Sequence, residues 1–223
     1  MSPQEEEKLL EAIGLWGAID SRLGGLALSY LATLEKINEI ASTPWVDESL
    51  DRYNNKMRMK DVGAAAIQYN DYLHETAILS LAKAIDDTVR DLKRAFNFRF
   101  DSFDNNHDVS NARTLQMIRA LANVIKHNGS HLVSGSSTSA TFLIQECGMR
   151  DGWDLGTLIL ARDPAFNILE HIPIVYFSLS ELVQKASGKG HPALNLQGDE
   201  AFNWVYNTLL PEVIPIARPQ KAN

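Results

Sequence analysis

From Leu9 onward, apolar residues recur as Leu9, Ile13, Trp16, Ile19, Leu23, Leu26, Tyr30, Leu34 and Ile37. A three-four spacing sustained over that length lines one face of an α-helix, whereas a strand alternates its faces every residue and would bury no continuous side. The chain must therefore be organised around helices of unusual length. Gly24 and Gly25 sit side by side in the middle of the first. Each costs about 1 kcal/mol relative to alanine in a helix, which predicts a bend or a close helix contact there. Ser42, Thr43 and Pro44 end the helix, because the residue before a proline is driven out of the helical region.

A second long helix is predicted over 64–96, with its stripe on Ile67, His74, Ile78, Leu81, Ile85, Val89, Leu92 and Phe96. His74 then lies on the buried face, as a core histidine satisfied by a hydrogen bond or, alternatively, as a catalytic group. A third helix starts near Asp108 or Ser110, both good N-caps, and ends where Asn128 and Gly129 offer a left-handed C-cap. The segment from Trp45 to Asp61 has no clean period and reads as a loop or short helix with a basic surface.

After Gly129 the texture becomes rich in turn residues, from Ser134 to Ser139, before Thr141–Ile144 and later Thr157–Leu160. Short runs of this kind bounded by Gly, Ser and Asp predict a small antiparallel β-hairpin inserted over 130–165. The helical period returns with Ile172, Val175, Leu179, Leu182 and Val183, opened by Pro173 and closed by Ser187 and Gly188. A last helix, capped by Asp199, carries Phe202, Val205, Tyr206, Leu209 and Leu210. The expected class is mainly α: one domain over 1–223, an antiparallel helical bundle with a β-hairpin insertion.

Composition restricts the function. At 223 residues and 45% hydrophobic, the chain can bury a core without disulfides or structural metal, and its single cysteine, Cys147, could supply neither. Cys147 reads as a small structural residue near a strand end. Glu5, Glu6 and Glu7 are the opposite of a basic secretory leader, and no apolar run is long enough to span a bilayer. A cytoplasmic setting with no membrane partner is the expectation. A net charge of -7 argues against global attraction to nucleic acid, so an RNA site would have to be local. Arg52, Lys56, Arg58 and Lys60 form one candidate track, and Arg90, Lys93 and Arg94 another; each is equally readable as a solvated face. Gly188-Lys189-Gly190 lacks the frame of a phosphate loop, and His74-Glu75 is followed by Ile78 where a zinc motif needs histidine. No metal or cofactor is expected. Trp16, Trp45, Trp153 and Trp204 read as packing residues.

The third helix, RTLQMIRALANVIKHNG over 113–129, carries the chemistry. If Leu115, Ile118, Leu121, Ala122 and Ile125 face the core, then Gln116, Ala120, Asn123 and His127 form one stripe opposite, with Arg119 a turn above Asn123 on its flank. A structural alternative accounts for the end of this helix: Lys126 and His127 complement the negative helix terminus, and Asn128 with Gly129 caps it.

Asn123 to Gly129, at the end of a helix in an antiparallel helical protein, resembles the signature of the HEPN superfamily: an arginine, a polar residue that is often asparagine, a few residues, then histidine. The resemblance implies a helical bundle, often dimeric, and a metal-independent endoribonuclease of toxin, antiviral or RNA-processing systems. Asn123 and His127 fall on the polar and histidine positions; the position before Asn123, arginine in the family, is Ala122, and Arg119 is the nearest guanidinium. On this reading His127 exchanges protons at the scissile phosphodiester, Arg119 or Lys126 stabilises its charge and Asn123 orients it. The expectation is a homodimer that brings two His127 ends together, in a bacterial toxin or phage-defence setting. The alternatives are a non-catalytic dimerisation or interaction module of the same fold, with a protein partner, and a small-molecule sensor with a pocket between helices and hairpin.

Overall fold

The computed structural model describes residues 2–100, 102–103, 109–212 and 214–219. Seven α-helices run through them: α1 (Pro3–Ala41), α2 (Arg52–Phe96), α3 (Ala112–His127), α4 (Thr138–Gln145), α5 (Leu155–Leu160), α6 (Ile168–Ser187) and α7 (Gly198–Leu209). Single 3-10 turns stand at Pro164–Phe166 and Pro192–Asn195. α1, α2 and α6 pack on one another, α3 lies against α2 with α4 behind it, and α7 closes over α1 and α6. None of these helices is long and apolar enough to cross a membrane.

α1 opens on a capping box, in which Ser2 Oγ accepts from the Glu5 N–H and the Glu5 carboxylate accepts from the Ser2 N–H, with Pro3 in the first turn. Its core register is Ala12, Leu15, Trp16, Ile19, Leu23, Leu26, Ala27, Tyr30, Leu31 and Ile37, whereas Ile13 is exposed. Of the two adjacent glycines, Gly24 makes the close contact: a Cβ there would stand 3.2 Å from the Leu209 carbonyl of α7.

α2 departs from its predicted start. It begins at Arg52, not Ala64, capped by Asp51, whose side chain accepts from the Asn54 N–H at 2.8 Å. An apolar period reports burial, and no residue from Arg52 to Tyr72 is buried, so that stretch could not write its helix into the pattern. Ile67 is accordingly exposed, off the buried stripe. α3 starts at Ala112 after Asn111 in the left-handed region (φ 59°). Asp108 lies outside the described residues, and Ser110 does not cap: its N–H donates to Glu181 and its carbonyl accepts from Ser178 Oγ. The C-terminal cap is as expected, with Gly129 at φ 56°.

The predicted β-hairpin over 130–165 is corrected. Thr141–Ile144 belongs to α4 and Thr157–Leu160 to α5, and among the described residues the only β pairing is an isolated bridge between His131 and Asp154. A four-residue apolar run fits a strand or a helical turn equally, and here the preceding caps decide. Ser137 Oγ accepts from the Ala140 N–H, and Asp154 accepts from both the N–H and the hydroxyl of Thr157. Cys147 therefore follows a helix end rather than a strand.

α6 begins at Ile168, so that Pro173 falls inside it rather than opening it. Proline has no N–H and frees the carbonyl one turn earlier, that of Leu169, which accepts instead from the Tyr206 hydroxyl of α7 at 2.8 Å. Gly188 closes α6 in the left-handed region. α7 is preceded by Gln197, with Asp199 in its first turn rather than at the cap, and buries Phe202, Val205, Tyr206 and Leu209.

Candidate functional site

Two contacts set the register of α3 on α2. Arg119 donates to Asp86 at 2.8 Å, and Ser130 donates to Glu75, so the two helices run antiparallel with the His127 end of α3 beside the middle of α2. Arg119 is also seated over the Phe103 ring, 5.6 Å from its centroid. One turn on, the Asn123 carboxamide donates to Ser139 Oγ of α4 at 3.2 Å. Ala120, placed by the sequence on an open stripe, is buried because α4 covers it. Together with Ala120, Gln116, Arg119 and Asn123 edge a small polar groove of about 220 Å³ shared with Thr138, Ser139 and Phe142 of α4.

Lys126 and His127 are exposed, and neither has a hydrogen-bond or ion-pair partner among the described residues. Ala122, at the position where the resembled family has arginine, is only 1% exposed and faces the core. Arg119 and His127 are eight residues apart, about 12 Å along the helix axis, so one chain does not bring them onto one phosphate by backbone placement. Asn128 donates to Ser136 and Ser137 Oγ, which ties the cap to the α3–α4 turn.

The two basic tracks stay separate. Arg52, Lys56 and Lys60 are exposed on the first turns of α2 with no ion pair among the described residues, while Arg58 approaches Asp47 at 3.9 Å. Arg90 is held by Asp87 at 2.8 Å, and Lys93 and Arg94 occupy the last turn. Lys60 and Arg90 are thirty residues apart on one helix, about 45 Å. What the sequence reading missed is the company of the first track. Tyr53 and Tyr72 are each 70% exposed, and Met57, Met59, Ile67 and Tyr69 are exposed between them. The available signal was the presence of large apolar residues without a period.

His74 is half-buried and fully hydrogen-bonded. Its Nδ1 lies 2.8 Å from the Asn70 carbonyl, which can only accept, so Nδ1 carries a proton, and in the neutral ring Nε2 accepts from the Tyr30 hydroxyl at 3.1 Å. Burial pushes the Tyr30 hydroxyl up to about 12. Trp16 and Trp204 pack around His191 and Tyr176, with ring centroids 5.0 to 6.1 Å apart. Trp153 lies under Arg150, and the Trp45 indole donates to the Ala41 carbonyl. The half-buried Cys147 thiol is pushed up by burial. Among the described residues no group of three His, Cys, Asp or Glu side chains is placed to hold a metal ion. Compared with protein-family models, with curated proteins and with solved structures, the chain matches none.

Proposed function

We propose that the chain is a HEPN-like helical protein that engages single-stranded RNA through the first half of α2, as a binding module rather than as a nuclease. The observation that supports this reading is the surface of residues 52–72, where Arg52, Lys56 and Lys60 stand beside exposed Tyr53 and Met57 on consecutive turns of one helix. Cations that track a backbone, interleaved with aromatic faces on which bases stack, are what sequence-tolerant single-strand binding needs. The net charge of -7 makes such a local patch necessary. The buried Ala122 and the engaged Arg119 favour binding over cleavage, because an isolated histidine lacks the guanidinium partner that stabilises a phosphorane.

A second reading, metal-independent cleavage by a homodimer, keeps one observation in its favour: Lys126 and His127 are adjacent, exposed and without partners among the described residues. One experiment addresses both. A labelled single-stranded RNA oligonucleotide is titrated by fluorescence anisotropy at several salt concentrations, with a chelator present and the products examined on a gel. Binding is expected without cleavage, and Lys56→Ala with Lys60→Ala should shrink the logarithmic salt slope by ~1.4. Chelator-resistant cleavage lost in His127→Ala would establish the second reading. Absence of binding at low salt would remove the first.

A further inference from the structure

Where the first half of α2 meets the core, a cleft of about 650 Å³ opens between α1, α2, the end of α5 and the start of α6. We propose that this cleft binds a small aromatic carboxylate, its anionic group on Arg162 and its ring against the apolar wall. The inference is independent of the RNA reading. The volume falls in the range of about 300–1,000 Å³ typical of small-molecule sites.

The walls are apolar, from Leu34, Ile159, Leu160, Phe166 and Leu169, and the rings of Tyr30, His74 and Phe166 among the lining residues offer an aromatic guest ring partners. Tyr30 and His74 already meet edge-to-face, with centroids 5.7 Å apart at 88°. The polar groups come from three different elements. On α2, the Asn70 carboxamide has no hydrogen bond among the described residues, although its backbone carbonyl holds His74. Because Tyr30 donates its proton to His74, its oxygen is left as an acceptor for an N–H or O–H on the guest.

Among the same lining residues, Arg162 stands just after α5 with φ at 57°, a left-handed conformation that a side chain with a Cβ adopts at a cost of roughly 1–2 kcal/mol. Its guanidinium is exposed and has no ion pair among the described residues, not even with the adjacent Asp163. The Asp163 carboxylate turns inward to accept from the Ala165 N–H at 2.9 Å. One free guanidinium fork, with a carboxylate next to it, suits a planar monoanion and disfavours a dianionic phosphate.

The test is calorimetric titration of the whole chain with indole-3-acetate, with the His74 ring signals followed by NMR. Indole-3-acetamide, inorganic phosphate and adenosine monophosphate are parallel probes. Indole-3-acetate should bind at one site with a Kd below about 1 mM and shift the His74 signals. Arg162→Gln should weaken it about 10-fold or more, and Asn70→Ala severalfold, with Tm unchanged in both because neither side chain holds a partner among the described residues. Equal binding of the acetamide, or indifference to Arg162→Gln, would overturn the anion site. Tighter binding of phosphate or of the nucleotide would overturn the ligand class, and silence from every probe would overturn the cleft as a site.

Discussion

From Leu73 to Phe96, α2 places Leu73, Ala77, Ile78, Leu81, Ala82, Ala84, Ile85 and Leu92 in the core, whereas from Arg52 to Tyr72 the same helix buries no side chain. Backbone hydrogen bonding is continuous across the boundary, so the two halves differ in what they exclude from water. The difference shows how an exposed helix of this length persists. Nucleating a helix is the unfavourable step, and the packed half supplies the nucleus, after which each added residue toward Arg52 is close to neutral. The Asp51 cap and the Trp45 ring, which lies so near Gly63 that a Cβ there would stand 3.5 Å from it, then hold the far end. A surface of aromatic and basic residues is displayed at little expense to the core.

The contrast is broken most directly in the packed half. Leu81→Ala, at a fully buried position, should lower unfolding free energy by about 2–5 kcal/mol, while Tyr72→Ala should change it by less than about 0.5 kcal/mol, both read by urea unfolding. Comparable losses would mean that residues 52–72 are covered in solution. Next in size, Tyr206→Phe strands the Leu169 carbonyl inside the packed half's support and should cost about 1–3 kcal/mol with no change in amide exchange over 52–72. Asp51→Ala should do the reverse. Its cost of about 1 kcal/mol should appear as faster exchange of the amides near Asn54 and leave the urea midpoint in place.

The smallest effect depends on pH. His171 donates from Nε2 to the Ala165 carbonyl, its Nδ1 is buried without a partner among the described residues, and burial holds its pKa below the ordinary histidine range. On acidification the unfolded chain takes up this proton first, so the stabilisation is complete above about 6.5 and is lost as pH falls through the folded value. Tm should therefore decline below that point, and His171→Gln should flatten the decline while leaving exchange over 52–72 unaffected.

What could be read from the sequence follows the same division. The core registers of α1, α6 and α7 and the Asn128–Gly129 cap were legible because burial imposes a period and caps have distinct chemistry. The first turns of α2 were not, since nothing buries them. Thr141–Ile144 and Thr157–Leu160 were misread because runs that short carry no period of their own, and the information lay in Ser137 and Asp154 upstream. At the candidate site, the stripe of Gln116, Ala120, Asn123 and His127, with Arg119 on its flank, follows from helical geometry. That α4 covers Ala120 and that Asp86 engages Arg119 are tertiary facts with no local signal.

Pro173 gives α6 a debt that only α7 settles, and this has a consequence for the order in which the molecule becomes whole. Leu169 leaves the ribosome well before Tyr206, and with synthesis at about 5–20 residues per second its carbonyl waits seconds for that hydroxyl. Throughout that interval water must serve the carbonyl, which keeps the start of α6 open to solvent. Docking of α7, through Tyr206 and the close approach of Leu209 to Gly24, is thus the event that replaces that water at the start of α6.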